Sequence, residues 1–235
     1  MADTPPLARR IVAEGIGSFF LFACVIGSGI MAQTLSGGND GVALLANTAA
    51  TGAILFVLIT MLGPISGAHF NPAVTLVFAL QREVPWLDAG AYVAAQLAFG
   101  ILGAWAAHLM FDLPILQFSA KARTGLGQWT GEFVATFGLV LTIFGTLRYK
   151  PQAVATSVGL YITAAYWFTS STSFANPAIT VARSLSDTFA GIAPHDVPLF
   201  IVAQFAGAIA ATAVAGTLFG ERSGTSAISP PTPES

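Results

Sequence analysis

Apolar residues gather along this chain in long blocks, separated by short polar breaks. Six blocks fall at roughly 9–33, 42–64, 88–110, 128–148, 152–170 and 197–220. Each holds about the twenty residues that an α-helix needs to cross a bilayer. Strands of a membrane barrel would be half as long and would alternate apolar with polar, which these do not. Two shorter apolar stretches, 72–80 and 177–185, follow the second and fifth blocks. They are too short to span but long enough for half-helices. Each opens on Asn-Pro: Pro suits the first helical position, where its missing N–H has no partner, and the Asn before it can cap the start.

Composition agrees with lipid as the main solvent. The 235 residues are 54% hydrophobic and only 9% charged, with a mean hydropathy of +0.74. A water-facing surface of this size normally takes about a quarter charged residues. The first block follows Arg9 and Arg10 and runs too long for a cleaved leader, so it reads as a span. Lys and Arg placement sets the orientation. With the N-terminus inside, the inner side collects Arg9, Arg10, Arg82, Arg148, Lys150 and Arg222, while Lys121 and Arg123 lie outside in the longest loop. Both termini are therefore expected in the cytoplasm, with the chain in the inner (plasma) membrane. A net charge of −2 without a basic run gives no footprint for nucleic acid. Cys24, alone within the first span, reads as a small packing residue.

Three markers recur in the same order in both halves. Glu14 begins E-x-x-x-S-F and Glu132 begins E-x-x-x-T-F; "NPAVT" starts at Asn71 and "NPAIT" at Asn176; "AQ" ends at Gln96 and Gln204. Each copy holds three spans, an odd number, so the second enters from the opposite face and the two Asn-Pro-Ala segments approach each other. The expected organisation is an N-terminal segment at 1–8, a first repeat at 9–110, an outer connecting loop at 111–127, a second repeat at 128–220 and a disordered tail at 221–235. The fold class is an all-α membrane protein: six transmembrane helices and two re-entrant half-helices in an inverted 3+3 repeat.

The stretch 66–76, "SGAHFNPAVTL", with the second NPA and both Glu markers, resembles the aquaporin/aquaglyceroporin family of major intrinsic proteins. The resemblance covers the chain apart from its ends. It implies one pore per subunit, a homotetramer, no cofactor and no metal. The pore motifs would be Asn71, Pro72, Ala73 and Asn176, Pro177, Ala178, with both Asn amides donating to a passing oxygen. Carbonyls of Gly67, Ala68, His69 and Phe70, and of Thr172, Ser173, Phe174 and Ala175, would line the wall, since bare backbone survives at membrane depth only beside protein or pore water. The half-helix N-termini would repel cations. Glu14 and Glu132 would brace the re-entrant loops; the alternative is snorkelling from a helix end, and their paired placement favours bracing. Gln96 and Gln204 would support them, or bond helix to helix. His69 would face the inner vestibule, most simply as a packed side chain; His108 and His195 read as structural or interfacial.

One position departs from the family. Most members carry Arg three residues after the second NPA asparagine, and here Ile179 stands there. Offsets from the two asparagines place the other filter positions at Thr51, Ala164 and Ser173. Such a filter would be wide, weakly polar and free of large aromatics. Arg183, one turn beyond Ile179, would either reach into the mouth or pair with Asp187. The pattern looks most like the bacterial aquaglyceroporin branch associated with arsenic resistance. It implies passage of water, glycerol and trivalent metalloid hydroxides such as arsenite. Alternatives are a water or plain glycerol facilitator whose filter uses Arg183, a non-conducting junctional protein, and a coupled transporter. An enzyme is not expected, because one Cys, three scattered His and no paired carboxylates supply no catalytic constellation.

Overall fold

The two Asn-Pro-Ala segments start helices, and helices make up the regular structure of the described residues. The computed structural model describes residues 5–220. The expected tail at 221–235, and the first four residues of the N-terminal segment, lie outside the described residues. Eight helices follow in order: α1 (Leu7–Leu35), α2 (Asp40–Ser66), α3 (Pro72–Leu80), α4 (Trp86–Met110), α5 (Leu126–Tyr149), α6 (Val154–Phe168), α7 (Pro177–Ser184) and α8 (Val197–Phe219). Among the described residues no strand is present, and the architecture is the inverted 3+3 repeat with α3 and α7 as half-helices.

Five helices are long and apolar enough to cross a membrane by themselves. The exception is α6, with 15 residues. It forms the expected fifth span only together with a 3₁₀ turn at Pro151–Ala153. The reason lies at its far end: the chain leaves the helix at Thr169, in extended conformation, to begin the second re-entrant loop.

In lipid, apolar side chains gain little by meeting each other, so helices associate through close packing. The repeat shows this twice. A Cβ on Gly103 of α4 would stand 2.2 Å from the Phe19 carbonyl oxygen of α1, and one on Gly207 of α8 would stand 2.4 Å from the Phe133 carbonyl oxygen of α5. The α1–α4 and α5–α8 crossings are thus the same contact in two copies, and they are the most extensive in the molecule. The repeats meet along α2 and α6, where Gly52 and Gly159 bring backbone against backbone. Large apolar residues such as Leu87, Leu160 and Val202 stay exposed on the outer faces, where lipid is their solvent.

Candidate functional site

The tips of α3 and α7 meet and lock each other. Asn71 Oδ1 accepts from Ala73 N at 2.9 Å, and Asn176 Oδ1 accepts from Ala178 N at 3.0 Å and Ile179 N at 3.3 Å. Each side chain therefore caps its own helix. Each amide also donates across the gap: Asn71 Nδ2 to the Ala175 carbonyl at 2.7 Å, and Asn176 Nδ2 to the Phe70 carbonyl at 2.8 Å. An amide nitrogen has two N–H groups, and each Asn Nδ2 makes one of these bonds to protein. Both residues border an internal cavity of about 110 Å³, room for several waters.

The loops leading to these tips have unusual backbone. Ala68, Phe70, Thr172, Ser173 and Ala175 all take positive φ, between 47° and 62°. Left-handed backbone costs a non-glycine residue about 1–2 kcal/mol, so something must hold it. Two buried carboxylates do. Glu14 accepts from Ser66 Oγ (2.7 Å), His69 N (2.9 Å), Phe70 N (2.7 Å) and Gln96 Nε2 (2.8 Å). Glu132 accepts from Phe174 N (2.8 Å), Ala175 N (2.9 Å) and Gln204 Nε2 (2.5 Å). Each Gln also donates to a threonine of its half-helix, Thr75 or Thr180.

These braces aim the carbonyls. In a trans peptide, the C=O of one residue and the N–H of the next point in opposite directions, and no peptide among the described residues is cis. Turning the amides of His69, Phe70, Phe174 and Ala175 towards the carboxylates therefore turns the carbonyls of Ala68, His69, Ser173 and Phe174 away from them. All four of these residues line the cavity, as do Gly67, Phe70 and Ala175. Thr172 does not. Its N–H closes a tight turn onto the Thr169 carbonyl, which leaves it beside Arg123 rather than on the wall. Much of the remaining wall is apolar, built from side chains such as Leu21, Val25, Leu55, Leu139 and Val158.

His69 borders the cavity but is packed, stacked on Phe78 and bonded through Nδ1 to Thr75 at 3.1 Å. His108 is also structural, tying Ile115 to Ser186. His195 stands 3.6 Å from the Asp196 carboxylate.

The filter positions separate into four on the cavity wall and one off it. Thr51, Ser173, Ile179 and Arg183 border the cavity, whereas Ala164 is exposed on the outside of α6. The cause is angular. Ile162 and Tyr166, four residues apart, face the lumen, and a residue two places from each lies about 200° round the helix. The offset failed because the length of the loop between α6 and Asn176 sets which α6 residue faces inward. Tyr166 takes that place, its hydroxyl 3.3 Å from Thr51 Oγ1. The expected absence of large aromatics is therefore corrected, with Tyr166 and Phe174 both at the wall.

Arg183 is 2% exposed. Its Nε donates to the Ala190 carbonyl, and its guanidinium carbon lies 3.3 Å from the Phe174 ring centroid. Pairing with Asp187 is not what the fold does; that carboxylate accepts from Ala120 N at 2.9 Å instead. The segment 111–125 folds over this end of the cavity. Arg123, which the sequence placed only as a loop charge, is buried there: Nε donates to the Gly191 carbonyl at 2.8 Å and Nη1 to the Ser171 carbonyl at 3.0 Å, while its backbone N–H reaches Asp196 at 2.7 Å. Lys121 Nζ donates to the Phe189 carbonyl at 2.8 Å. Desolvation first, then the like charges of Arg123 and Arg183, push its amine down to about 8. Among the described residues no cluster of three His, Cys, Asp or Glu side chains could hold a metal.

Six spanning helices in two inverted halves, with two capped half-helices locked tip to tip beside an internal cavity, define a membrane channel of the major intrinsic protein class. The family model described as "Major intrinsic protein" matches residues 1–166, and the chain belongs to that family, whose members are channels and not enzymes. It is 59% identical over 208 residues to the aquaglyceroporin AqpS of Rhizobium meliloti (strain 1021), covering 88% of this chain and 89% of that protein. Aquaporin NIP1-1 of Oryza sativa subsp. japonica is 32% identical over 217 residues, covering 89% and 74%. In fold it matches the crystal structure of the aquaglyceroporin from Plasmodium falciparum with a TM-score of 0.72 at 18% identity, covering 91% of this chain and 97% of that one.

Proposed function

We propose that the chain conducts small uncharged hydroxylated solutes passively, glycerol and water first, and trivalent metalloid hydroxides such as arsenite by the same route. The observation that carries this is the two-sided lumen. Carbonyls and two amide N–H groups form a polar edge, and Leu, Val and Ile side chains form an apolar one. A polyol has the same division, hydroxyls on one edge and C–H on the other. Carbonyls aimed by the buried carboxylates replace its hydration, and the apolar wall accepts its carbon side without binding it tightly. The name of the relative AqpS, an aquaglyceroporin, points the same way. Arsenite in its neutral trihydroxide form presents comparable hydroxyl edges.

The remaining assignments belong to the same reading. Residues 9–110 and 128–220 are the two repeats, both termini are cytoplasmic, the mouth under 111–125 opens outward, and the assembly is a homotetramer. Transport is uncoupled, because beyond the two bracing Glu no chain of ionisable side chains crosses the described residues at membrane depth. The test is parallel uptake of water, glycerol and arsenite in one proteoliposome preparation, with and without a pH gradient. Fast uptake of all three, indifferent to the gradient, is expected. Uptake that collapses with the gradient would mean a coupled transporter, and uptake at the rate of empty liposomes would mean a non-conducting protein.

A further inference from the structure

Arg183 stands four residues past Ile179 on the same face of α7. Side chains on a helix lean towards its N-terminus and cover the turn before their own Cα. An arginine at 183 can therefore lean back towards Ile179 against a displacement of about 5.4 Å along the axis, and both residues line the same cavity. Two contacts hold the Arg183 guanidinium, the Ala190 carbonyl and the face of Phe174, and Tyr166 lines the same cavity wall. Tyr166 in turn bonds Thr51. The group thus runs from α7 through α6 to α2, around one end of the cavity, and all four side chains line it.

The charge at this point has no counter-ion in contact. Among the described residues Asp88 pairs with Arg10 and Asp196 with His195, and neither pair involves Arg183. A buried charge held this way is costly unless polar groups or the contents of a lumen solvate it. A purely structural anchor for Ala190 would not need a cation. Resting on the channel reading above, we propose that Arg183, with Tyr166 and Thr51, is the selectivity filter, its charge supplied from one helical turn beyond the position that most family members use. The filter is then narrow and cationic rather than open. Ile179 serves as its apolar wall opposite the Tyr166 and Thr51 hydroxyls, Arg183 donates to solute oxygens, and its fixed charge repels cations at the mouth.

The test compares Arg183→Gln, Arg183→Lys and Tyr166→Phe with wild type in proteoliposomes, reading water, glycerol and the longer polyols erythritol and ribitol, and proton leak in the same vesicles. Arg183→Gln keeps length and hydrogen-bonding ability but loses charge. It is expected to raise proton leak at least tenfold and to admit the longer polyols, while water flux persists. Arg183→Lys restores the exclusion of protons without restoring the polyol cut-off. Should Arg183→Gln not fold, Tyr166→Phe carries the test through a shift of the polyol cut-off alone. An unchanged cut-off and leak in the folded variants overturn the filter assignment while wild-type glycerol flux stands. Absence of glycerol flux in wild type overturns the channel reading itself.

Discussion

The first re-entrant loop, 66–71, and the second, 169–176, solve one backbone problem with different chemistry around it. Both reach a capped Asn through left-handed residues, and both hang their amides on a carboxylate from the first helix of their repeat. Beyond that they part. The first is closed in by uncharged or ring partners: Ser66 on Glu14, Tyr92 on the Ser66 carbonyl at 3.0 Å, and His69 on Phe78. The second carries two buried arginines, Arg123 at 4.8 Å and Arg183 at 3.3 Å from the ring centroid of Phe174. The shared part shapes the cavity wall, and the part that differs puts positive charge beside one end of it. Symmetry here marks architecture, and its breakdown marks where the proposed filter lies.

The braces give the largest effects. Glu14→Ala strands four donors and Glu132→Ala three, at roughly 1–3 kcal/mol for each orphaned buried group. Both variants should lose flux and most of their thermal stability in detergent, Glu14→Ala the more. Equal midpoints with wild type would show that the loops hold their shape without carboxylates. Next, Ile179→Arg sets a second guanidinium one turn from the first. Crowding and like charge should cut glycerol flux at least tenfold, and uptake equal to wild type would remove Ile179 from the constriction.

Smaller effects sharpen the contrast. Asn176→Ala loses a cap on two amides and Asn71→Ala on one, so each should cost about 1 kcal/mol, with the second loop affected more; thermal midpoints of the two decide this. Ala164→Val, on the outer face of α6, should leave glycerol flux within about a factor of two, whereas a large loss would return that residue to the pore. The smallest effect lies at Lys121. Its amine is depressed in the folded protein to about 8, so between that value and the ordinary lysine range the unfolded chain binds more protons. Stability should therefore rise as pH increases from 8 to 10. The thermal midpoint of wild type minus that of Lys121→Met should climb across that window, and a flat difference would mean an ordinary amine.

Much of this was legible in the sequence, because periodicity and caps are local. Asn-Pro starts at 71 and 176 set the half-helices, and the paired Glu and Gln markers indicated what packs beside them. Ala164 was misplaced because the rotation of α6 is fixed by its contact with α2 and by the loop after it, neither of which has a local signal. Tyr166 was missed for the same reason. Arg183 offered two partners at equal helical spacing. The choice depended on Asp187, which lies beyond the end of α7 and bonds Ala120, 67 residues away in sequence. Arg123 showed only as a lone charge in a long loop, and its burial comes from the folding of 111–125 over the mouth.

The central claim is that solutes pass beside the two locked asparagines. Glycerol-driven reswelling of proteoliposomes, measured for wild type and for Leu21→Trp, which puts an indole into the lumen wall, tests it most directly. Fast reswelling in wild type, and a rate near that of empty vesicles in the plugged variant of equal thermal stability, is the predicted result. Equal rates in both proteins would place the route elsewhere and contradict the account.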